Sequence, residues 1–306
     1  MTTRYEPMPI GGITFKSDSN TGGSVPASFD AFLYKPVDPG QLKLMIKLRI
    51  NLRPSPPKYP GQLDADGKLF LTSPWVGPDW QQFITAAAKQ ADMWNNKFWL
   101  LPPPTFSEFD RVFDTFPGQA YRPTIRCELD VDFNATDDAH RTIDVANLDK
   151  NFLRVHSPGT PPHAMTFRSH AFLYDSLDGV PVLDPFGKGP GQPPIRYTIA
   201  HEIGHALGLG HIGTILKTPA CVYAMAAADG GFDNQHPLTQ GGRNSFACYG
   251  MNQGIDVAGN IMGLGANFTV DNALPWLWAI GSIRRRNWEQ WRAVTSDPGP
   301  GIWVKT

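Results

Sequence analysis

Residues 201–211 read HEIGHALGLGH, a segment that places three histidines and one glutamate close together in the chain. His201 and His205 are four residues apart, a spacing that puts both imidazoles on one face of a helix about one turn apart. Two imidazoles placed in this way can bind the same metal ion. The segment therefore predicts a metal site, provided that the chain supplies a further ligand.

A third ligand has to come from beyond the helix, and Gly208 provides the means. Glycine can adopt a positive φ, so the chain can turn sharply after the helix and bring His211 back toward the ion. Three neutral imidazoles around a tetrahedral zinc leave the fourth position to water, which is the arrangement of a catalytic rather than a structural site. We expect one catalytic Zn²⁺ held by His201, His205 and His211.

Glu202 follows the first predicted ligand directly, which sets its carboxylate beside the metal without coordinating it. Zinc lowers the pKa of a bound water to about 7, so Glu202 needs only to remove the proton as the oxygen attacks a carbonyl carbon. The same carboxylate can then carry the proton to the leaving amine. The segment thus predicts hydrolysis of an amide bond with Glu202 as general base.

The hydrophobic pattern upstream of this segment predicts one strand and one long helix. Apolar and polar residues alternate over residues 42–54, which is typical of a strand with one face in water. Residues 79–98 have apolar side chains at helical spacing, with Asp79 placed to cap the first turn and three prolines at 102–104 to stop the helix. We predict an amphipathic helix here.

Further elements follow in the order of strands and then helices. Residues 124–133 and 163–175 have the pattern of strands, whereas residues 195–209 and 272–294 return to helical spacing. No internal repeat is visible in the sequence. The pattern as a whole is that of a mixed α and β protein.

The segment HEIGHALGLGH fits the pattern HExxHxxGxxH, and in this respect the chain resembles the metzincin zinc metallopeptidases. The resemblance implies that His201, His205 and His211 are the zinc ligands and that Glu202 is the general base. It also implies an endopeptidase, with a protein or a peptide as its substrate.

Metzincins also have a methionine in a tight turn below the zinc, some distance after the third ligand. Met262 in GNIMGLG is the favoured candidate, because turn-forming Gly and Asn residues surround it and a helical stretch follows. Met225 lies in VYAMAAADGG, which lacks that character, and Met251 in CYGMNQG is the more serious competitor. We predict Met262 as the residue of the Met-turn.

The resemblance implies an α/β (α+β) fold with a mixed, mostly parallel twisted sheet backed by helices, the zinc helix at the floor of the cleft and a C-terminal helical subdomain. We expect an irregular N-terminal extension over residues 1–40 and a catalytic domain over residues 41–306, which divides near residue 211 into an N-terminal subdomain and a C-terminal subdomain from about 212 to 306. The last strand before the zinc helix, expected within residues 163–175, would be an open edge to which an extended substrate adds.

The subfamily stays open at this point. The zinc helix is most similar to those of matrixins and serralysins, but the tyrosine that follows the Met-turn in serralysins and astacins is missing after Met262. The long interval from His211 to Met262 is more similar to pappalysin-like enzymes. It contains Cys221 and Cys248, for which a disulfide and two free thiols are equally plausible. Cys127 lies in a strand pattern and is expected to be buried.

Charge and hydropathy limit the classes of binding partner that we expect. A formal net charge of −1 and a pI near 6.7 give no field that would attract nucleic acid or an anionic membrane, and no apolar run approaches the roughly 18 residues of a membrane span. We expect neither partner, and the oligomeric state is not predicted. The opening residues lack the pattern of a secretory signal peptide. Secretion or export by another route is favoured, and a cytoplasmic location stays open.

Residues 130–138 are a second candidate for metal binding, in this case for calcium. Ala135 occupies the position where an EF-hand needs glycine, so a solvated strand end is the favoured interpretation and calcium is without support. The acidic and amide side chains concerned are Asp130, Asp132, Asn134, Asp137 and Asp138.

The sequence therefore predicts a zinc-dependent endopeptidase, with two alternatives. One is a zinc hydrolase with one narrow target, such as an effector toxin. The other is a catalytically silent protein that uses a zinc fold for binding. Glu202 argues against the silent protein, because a binding module has no need of a base at that position.

Overall fold

The computed structural model shows a mixed α and β fold. It describes residues 4–17, 26–37, 40–56, 72–112, 117–149, 173–183, 195–229, 247–250, 255–263, 265–285 and 287–305.

The strands and helices follow one another along the chain, with most strands before the histidine segment and most helices after it. The strands are β1 (Gly11–Lys16), β2 (Ser28–Tyr34), β3 (Leu42–Pro54), β4 (Trp99–Leu101), β5 (Arg111–Val112), β6 (Gln119–Pro123), β7 (Ile125–Asp132), β8 (Arg141–Ala146), β9 (Leu173–Asp175), β10 (Val182–Leu183), β11 (Ile195–Arg196), β12 (Arg292–Val294) and β13 (Gly301–Lys305). The α-helices are α1 (Gly77–Ala91), α2 (Thr198–Ala206), α3 (Ile212–Ile215), α4 (Pro219–Asp229), α5 (Ile255–Ala258) and α6 (Leu274–Arg284), and 3-10 turns cover Asp92–Trp94, Val270–Ala273 and Trp288–Gln290.

Strand β3 is the centre of the main sheet. It spans the residues that the alternating pattern predicts, and its apolar side chains are buried while the intervening ones are partly exposed. Strand β2 runs antiparallel and β7 parallel to it, and because both pair with residues 43–47 they lie on opposite edges of β3. Its C-terminal end pairs in parallel with β8, which pairs in parallel with β9. One face of β3 is buried and the other is partly exposed, which confirms the predicted strand.

The prediction of a mostly parallel sheet is wrong, because the sheet is mixed. Among the strands that the structure describes in this sheet, only β3, β7, β8 and β9 pair in parallel with one another, whereas the β1–β2, β2–β3, β4–β7 and β4–β12 pairs are antiparallel. The first three strands follow one another closely along the chain, and none of the described residues between them is helical; neighbours joined by short connections pair antiparallel, whereas a parallel pair needs a long crossover.

The prediction that residues 1–40 form an irregular extension is also wrong for the described part of that region. Strands β1 and β2 belong to the main sheet, and Phe29, Ala31 and Leu33 are fully buried at every second position of β2. The ring of Phe15 in β1 stacks on that of Phe29 at 4.9 Å between centroids. Residues 1–40 are rich in Gly, Ser, Pro and Asp, and this composition made the strand periodicity of the two short segments that form β1 and β2 difficult to recognise.

Helix α1 confirms the predicted apolar face but differs at both ends. It begins after Val76 with a proline in its first turn, and Asp79 lies within that turn rather than at the N-cap. It ends at Ala91 rather than at residue 98: a 3-10 turn continues to Trp94, and Asn96 then adopts a positive φ of 57°, which ends the helical run. Asn95 is hydrogen-bonded to the backbone of Leu129 through both its amide oxygen and its amide nitrogen, which attaches the end of the helix to β7.

The helical spacing over residues 272–294 predicts one long helix, but the C-terminal part of the chain is not helical throughout. Helix α6 occupies only the first half of the predicted helical stretch, and β12 then joins the main sheet beside β4. Strand β13 pairs with β6 in a separate three-stranded sheet. No described helix has the length and apolar character needed to cross a membrane.

A partly buried charge cluster joins the first strands. The carboxylate of Asp30 in β2 accepts a hydrogen bond from the Thr14 hydroxyl at 2.7 Å, forms an ion pair with Arg49 and lies 3.5 Å from His140 Nε2. Burial acts to raise the pKa of Asp30, but hydrogen bonds from Thr14 and Arg49, with the charges of Arg49 and His140, bring it below its ordinary value. The ionised carboxylate thus stabilises the folded state.

We expect Asp30→Asn to lower the free energy of unfolding at pH 7 by about 1–3 kcal/mol, because it leaves partners of a buried charge unsatisfied. A depressed carboxyl pKa stabilises the fold above the unfolded value of about 3.9, so the difference from wild type should shrink as the pH falls below about 4. Urea unfolding at several pH values measures the loss of stability and its dependence on pH. Asp130→Asn, in an exposed pair with Lys47, is the control and should change stability by less than about 1 kcal/mol. Equal effects of the two substitutions would contradict this account.

Candidate metal centre

Helix α2 carries the first two predicted ligands and is attached to α1 by hydrogen bonds from distant side chains. Its N-cap residue, Tyr197, makes no side-chain capping hydrogen bond. Instead the Gln90 side-chain oxygen accepts from the backbone N–H groups of Ile199 and Ala200 at 3.0 and 3.3 Å. The Trp94 indole N–H donates to the Ala200 carbonyl at 3.0 Å. The helix begins at Thr198, three residues later than predicted, because residues 195–196 pair as β11 with β10.

The structure brings the three predicted histidine ligands together. The ligand atoms of His201, His205 and His211 all lie within 4.8 Å of one another, and the three side chains are buried. The Nε2 atoms of His205 and His211 are 3.2 Å apart, close to the roughly 3.3 Å expected between two nitrogens on one tetrahedral zinc. In the part of the chain that the structure describes, no other group of three His, Cys, Asp or Glu side chains has such spacing.

Backbone carbonyls orient two of the three imidazoles. The Nδ1 atom of His201 lies 2.7 Å from the Ile261 carbonyl oxygen, and Nδ1 of His205 lies 2.8 Å from that of Leu209. A carbonyl can only accept a hydrogen bond, so each Nδ1 carries the proton and each neutral ring presents the lone pair of Nε2. Metal-binding histidines commonly donate their other ring N–H to a backbone carbonyl in this way, and the donor set therefore fits a zinc ion.

Gly208 makes the turn that brings back the third histidine. Its φ is +91°, a conformation that favours glycine. A Cβ at this position would lie 2.7 Å from the Cβ of Ala27, so the residues before β2 pack directly beneath the turn. The predicted role of Gly208 as a bend agrees with this backbone geometry.

Met262 lies below helix α2, fully buried in a turn. A Cβ at Gly204 of the helix would lie 2.1 Å from its sulfur, so the helix and the methionine pack as closely as glycine permits. The Met262 backbone N–H donates to the Asn260 side-chain oxygen at 2.8 Å, and its carbonyl accepts from Ile212 at 2.9 Å. Asn260 and Asn272 are both buried and exchange two side-chain hydrogen bonds of 3.0 and 3.1 Å, which fix the turn.

Glu202 is buried on the same helix, 3% exposed, and its charge acts on two other buried side chains. Burial is the main cause that raises the pKa of Tyr174 well above its ordinary value, and the charge of Glu202 acts in the same direction. Burial lowers the pKa of the Arg141 guanidinium, against the opposing charges of Tyr174 and Glu202. Arg141 is held by a 3.0 Å hydrogen bond to the Pro26 carbonyl. A guanidinium and a phenol thus accompany the predicted base.

Other predicted residues lie elsewhere. Met225 is in helix α4, and Met251 is outside the described residues, as are residues 163–172 of the predicted edge strand. Cys221 and Cys248 form a disulfide, and Cys127 is a buried free thiol. The acidic residues considered for calcium include two that form ion pairs instead, Asp130 with Lys47 and Asp138 with Arg49.

Sequence reasoning missed the side chains that support the site from a distance, namely Gln90, Trp94, Arg141 and Tyr174. Local spacing carries no signal for them, because each is brought in by another element. A buried glutamine on the apolar face of α1 was the one available hint, since polar residues there need a partner.

A comparison of the chain with protein-family models, with curated proteins and with solved structures finds no match. The class that the fold and the site define is thus a mixed α and β protein with a three-histidine group able to bind a metal ion. The resemblance to metzincins rests on the motif and on the arrangement around it.

We expect Gly208→Ala to lower the unfolding free energy more than Gly118→Ala, and to release the metal. Both glycines have a positive φ, but a Cβ at Gly118 meets open space whereas one at Gly208 meets Ala27. Backbone strain alone costs about 1–2 kcal/mol, and the clash adds about 1–3 kcal/mol. Thermal unfolding and zinc content measure the two effects. Full zinc retention in Gly208→Ala would contradict the role of this turn.

Replacing Gln90 by Met leaves two backbone N–H groups at the start of α2 without their acceptor. The expected loss of unfolding free energy is about 1–3 kcal/mol. Gln82→Met, at an exposed position of the same helix, is the matched control and should stay within about 0.5 kcal/mol of wild type. Chemical denaturation distinguishes them, and equal stability of the two variants would show that Gln90 does not support α2.

Proposed function

We propose that this chain is a zinc-dependent endopeptidase of the metzincin type. The observation that carries the proposal is the convergence of His201, His205 and His211, with Glu202 buried on the same helix. The Nδ1 contacts to backbone carbonyls and the methionine below the helix give further support. Zinc is the favoured ion, because three imidazoles without a protein thiolate or carboxylate suit its catalytic sites.

The chain's own residues account for the proton transfers that hydrolysis requires. When bound, zinc supplies a Lewis acid that polarises the scissile carbonyl and acidifies a water molecule. The Glu202 carboxylate accepts a proton from the attacking water as the new C–O bond forms, and then delivers it to the amide nitrogen as the C–N bond breaks. One water is consumed, and a carboxylic acid and an amine are released. Arg141 keeps positive charge near Glu202 while its own polar contact to Pro26 holds it in place.

The substrate of the proposed reaction is an extended polypeptide. Strand β9 pairs with β8, and no second partner strand is found for it among the residues that the structure describes. A peptide can add to such an edge through main-chain hydrogen bonds and so reach the histidines without a sequence-specific pocket. After burial, the charge of Glu202 is the next cause of the raised pKa of Tyr174 in β9, which supports a position of this strand near the proposed base.

Two alternatives make different predictions. A hydrolase with one narrow target would share the site but cleave few peptides, and a silent binding protein would keep the metal without cleavage. Glu202 favours an enzyme, because a silent binding protein has no need of a base beside the three histidines. The Cys221–Cys248 disulfide favours an oxidising compartment, and hence a secreted or exported protein.

Metal analysis and peptide cleavage of wild type and Glu202→Gln test the proposal. We expect one zinc per chain in both proteins and a loss of kcat/KM of about 10²–10⁴-fold in the variant, the range for loss of a general base. Glu289→Gln, at an exposed position, is the control and should cleave like wild type. Removal of zinc with a chelator should abolish cleavage, and added zinc should restore it.

The outcomes separate the three possibilities. Cleavage of many sequences in a broad peptide library supports the endopeptidase. Cleavage of a single sequence favours the narrow target, and stoichiometric zinc with two equally inert proteins favours the silent binding protein. A wild type without zinc would refute the metal site itself.

A further inference from the structure

A half-buried tyrosine lies against the histidine group on a turn that the proposed mechanism does not use. The ring centroid of Tyr249 is 3.7 Å from that of His211, with the planes tilted by 31°. The same ring stacks nearly parallel to His201, at 5.8 Å and 12°. His201 and His205 belong to helix α2, whereas His211 lies beyond it in extended backbone. The tyrosine thus packs most closely on the ligand that α2 does not hold.

Several short-range constraints hold the tyrosine in this position. Its neighbour Cys248 is joined to Cys221 of α4 by the disulfide, and the Cys248 carbonyl accepts from the Gly213 backbone N–H at 2.7 Å. A Cβ at Gly213 would lie 2.8 Å from that carbonyl, so the turn and helix α3 are in close contact. A Cβ at Gly263 would lie 2.7 Å from the Tyr249 carbonyl, which places the turn against the Met-turn as well.

We propose that Tyr249 is a positioning residue of the metal site: its ring holds the imidazole of His211 in the orientation that binds the ion, and the Cys221–Cys248 disulfide holds the ring. The inference rests on the metal site of the proposed function but does not require peptide hydrolysis. Its chemistry is that of an aromatic ring packed on an imidazole, so the ring is needed and the hydroxyl is not. The bridge acts through the tyrosine rather than separately.

Substitution of Tyr249 tests whether its ring positions His211. Tyr249→Phe keeps the ring, whereas Tyr249→Leu and Tyr249→Met remove it with different shapes, so that one ring-free variant suffices if the other does not fold. We measure the rate of zinc transfer to a chromophoric chelator and the visible spectrum of the Co²⁺-substituted protein. Zinc loss should accelerate about tenfold or more in the ring-free variants, as for loss of a residue that supports a ligand, and stay within about twofold of wild type for Phe.

A matched tyrosine provides the control. Tyr223 lies on α4, the helix that the disulfide joins to the turn, and is 75% exposed. Tyr223→Leu should release zinc at the wild-type rate. The Co²⁺ spectrum should change in Tyr249→Leu and not in Tyr223→Leu, because it reports the geometry of the ligands rather than global stability.

Combined substitution tests the role of the bridge. Changing both Cys221 and Cys248 to Ala should accelerate zinc loss, but should add little in the Tyr249→Leu background, because the bridge acts through the ring. Substitution is preferable to a thiol reductant, since added thiols bind zinc themselves.

The results separate this inference from the proposed function. Ring-free variants that release zinc within twofold of wild type would overturn the role of Tyr249, and so would a Tyr249→Phe variant that loses zinc as fast as they do. Additive effects of the bridge and the ring would overturn the coupling between them. Zinc retention that depends on the ring, in a protein that cleaves no peptide, would support this inference and refute the endopeptidase. A wild type without zinc would overturn both.

Discussion

The whole site depends on one backbone conformation, the positive φ of Gly208. Two histidines on a helix reach an ion from the same side, and only a reversal of the chain brings a third imidazole against them. The space for that reversal is fully enclosed: Ala27 lies on one side of the turn and the Trp278 ring on another. Elements from the start and the end of the chain therefore meet at the point where the histidine segment turns.

Local sequence spacing was sufficient for the features that a single segment determines. Periodicity and turn chemistry are contained within a few residues, so each feature that depends on them could be predicted. These features are the buried face of β3, the apolar side of α1, the three histidines, the bend at Gly208 and the buried Met262. These are also the features that a motif describes. The prediction failed where composition masked short runs, as in β1 and β2, and where helix ends depend on neighbouring elements.

The supporting residues could not be predicted because they act across the chain. Gln90 and the amide of Ile199 are 109 residues apart, and the Trp94 indole reaches a carbonyl 106 residues away. A single sequence contains no signal that pairs such positions, although a polar residue on a buried helix face indicates that some partner exists. The topology of the sheet could not be predicted either. The alternating pattern identifies β3 as a strand, but it does not show that antiparallel strands pair beside the parallel ones.

The position of β12 has a consequence for the order in which the fold assembles. This strand, residues 292–294, completes the main sheet beside β4, which in turn pairs with β7. Pairings between residues so distant in the chain form slowly, because the long loop must close before any contact stabilises it. During synthesis the histidine segment leaves the ribosome before β12 does. A nascent chain therefore carries the three histidines before β12 can complete the main sheet.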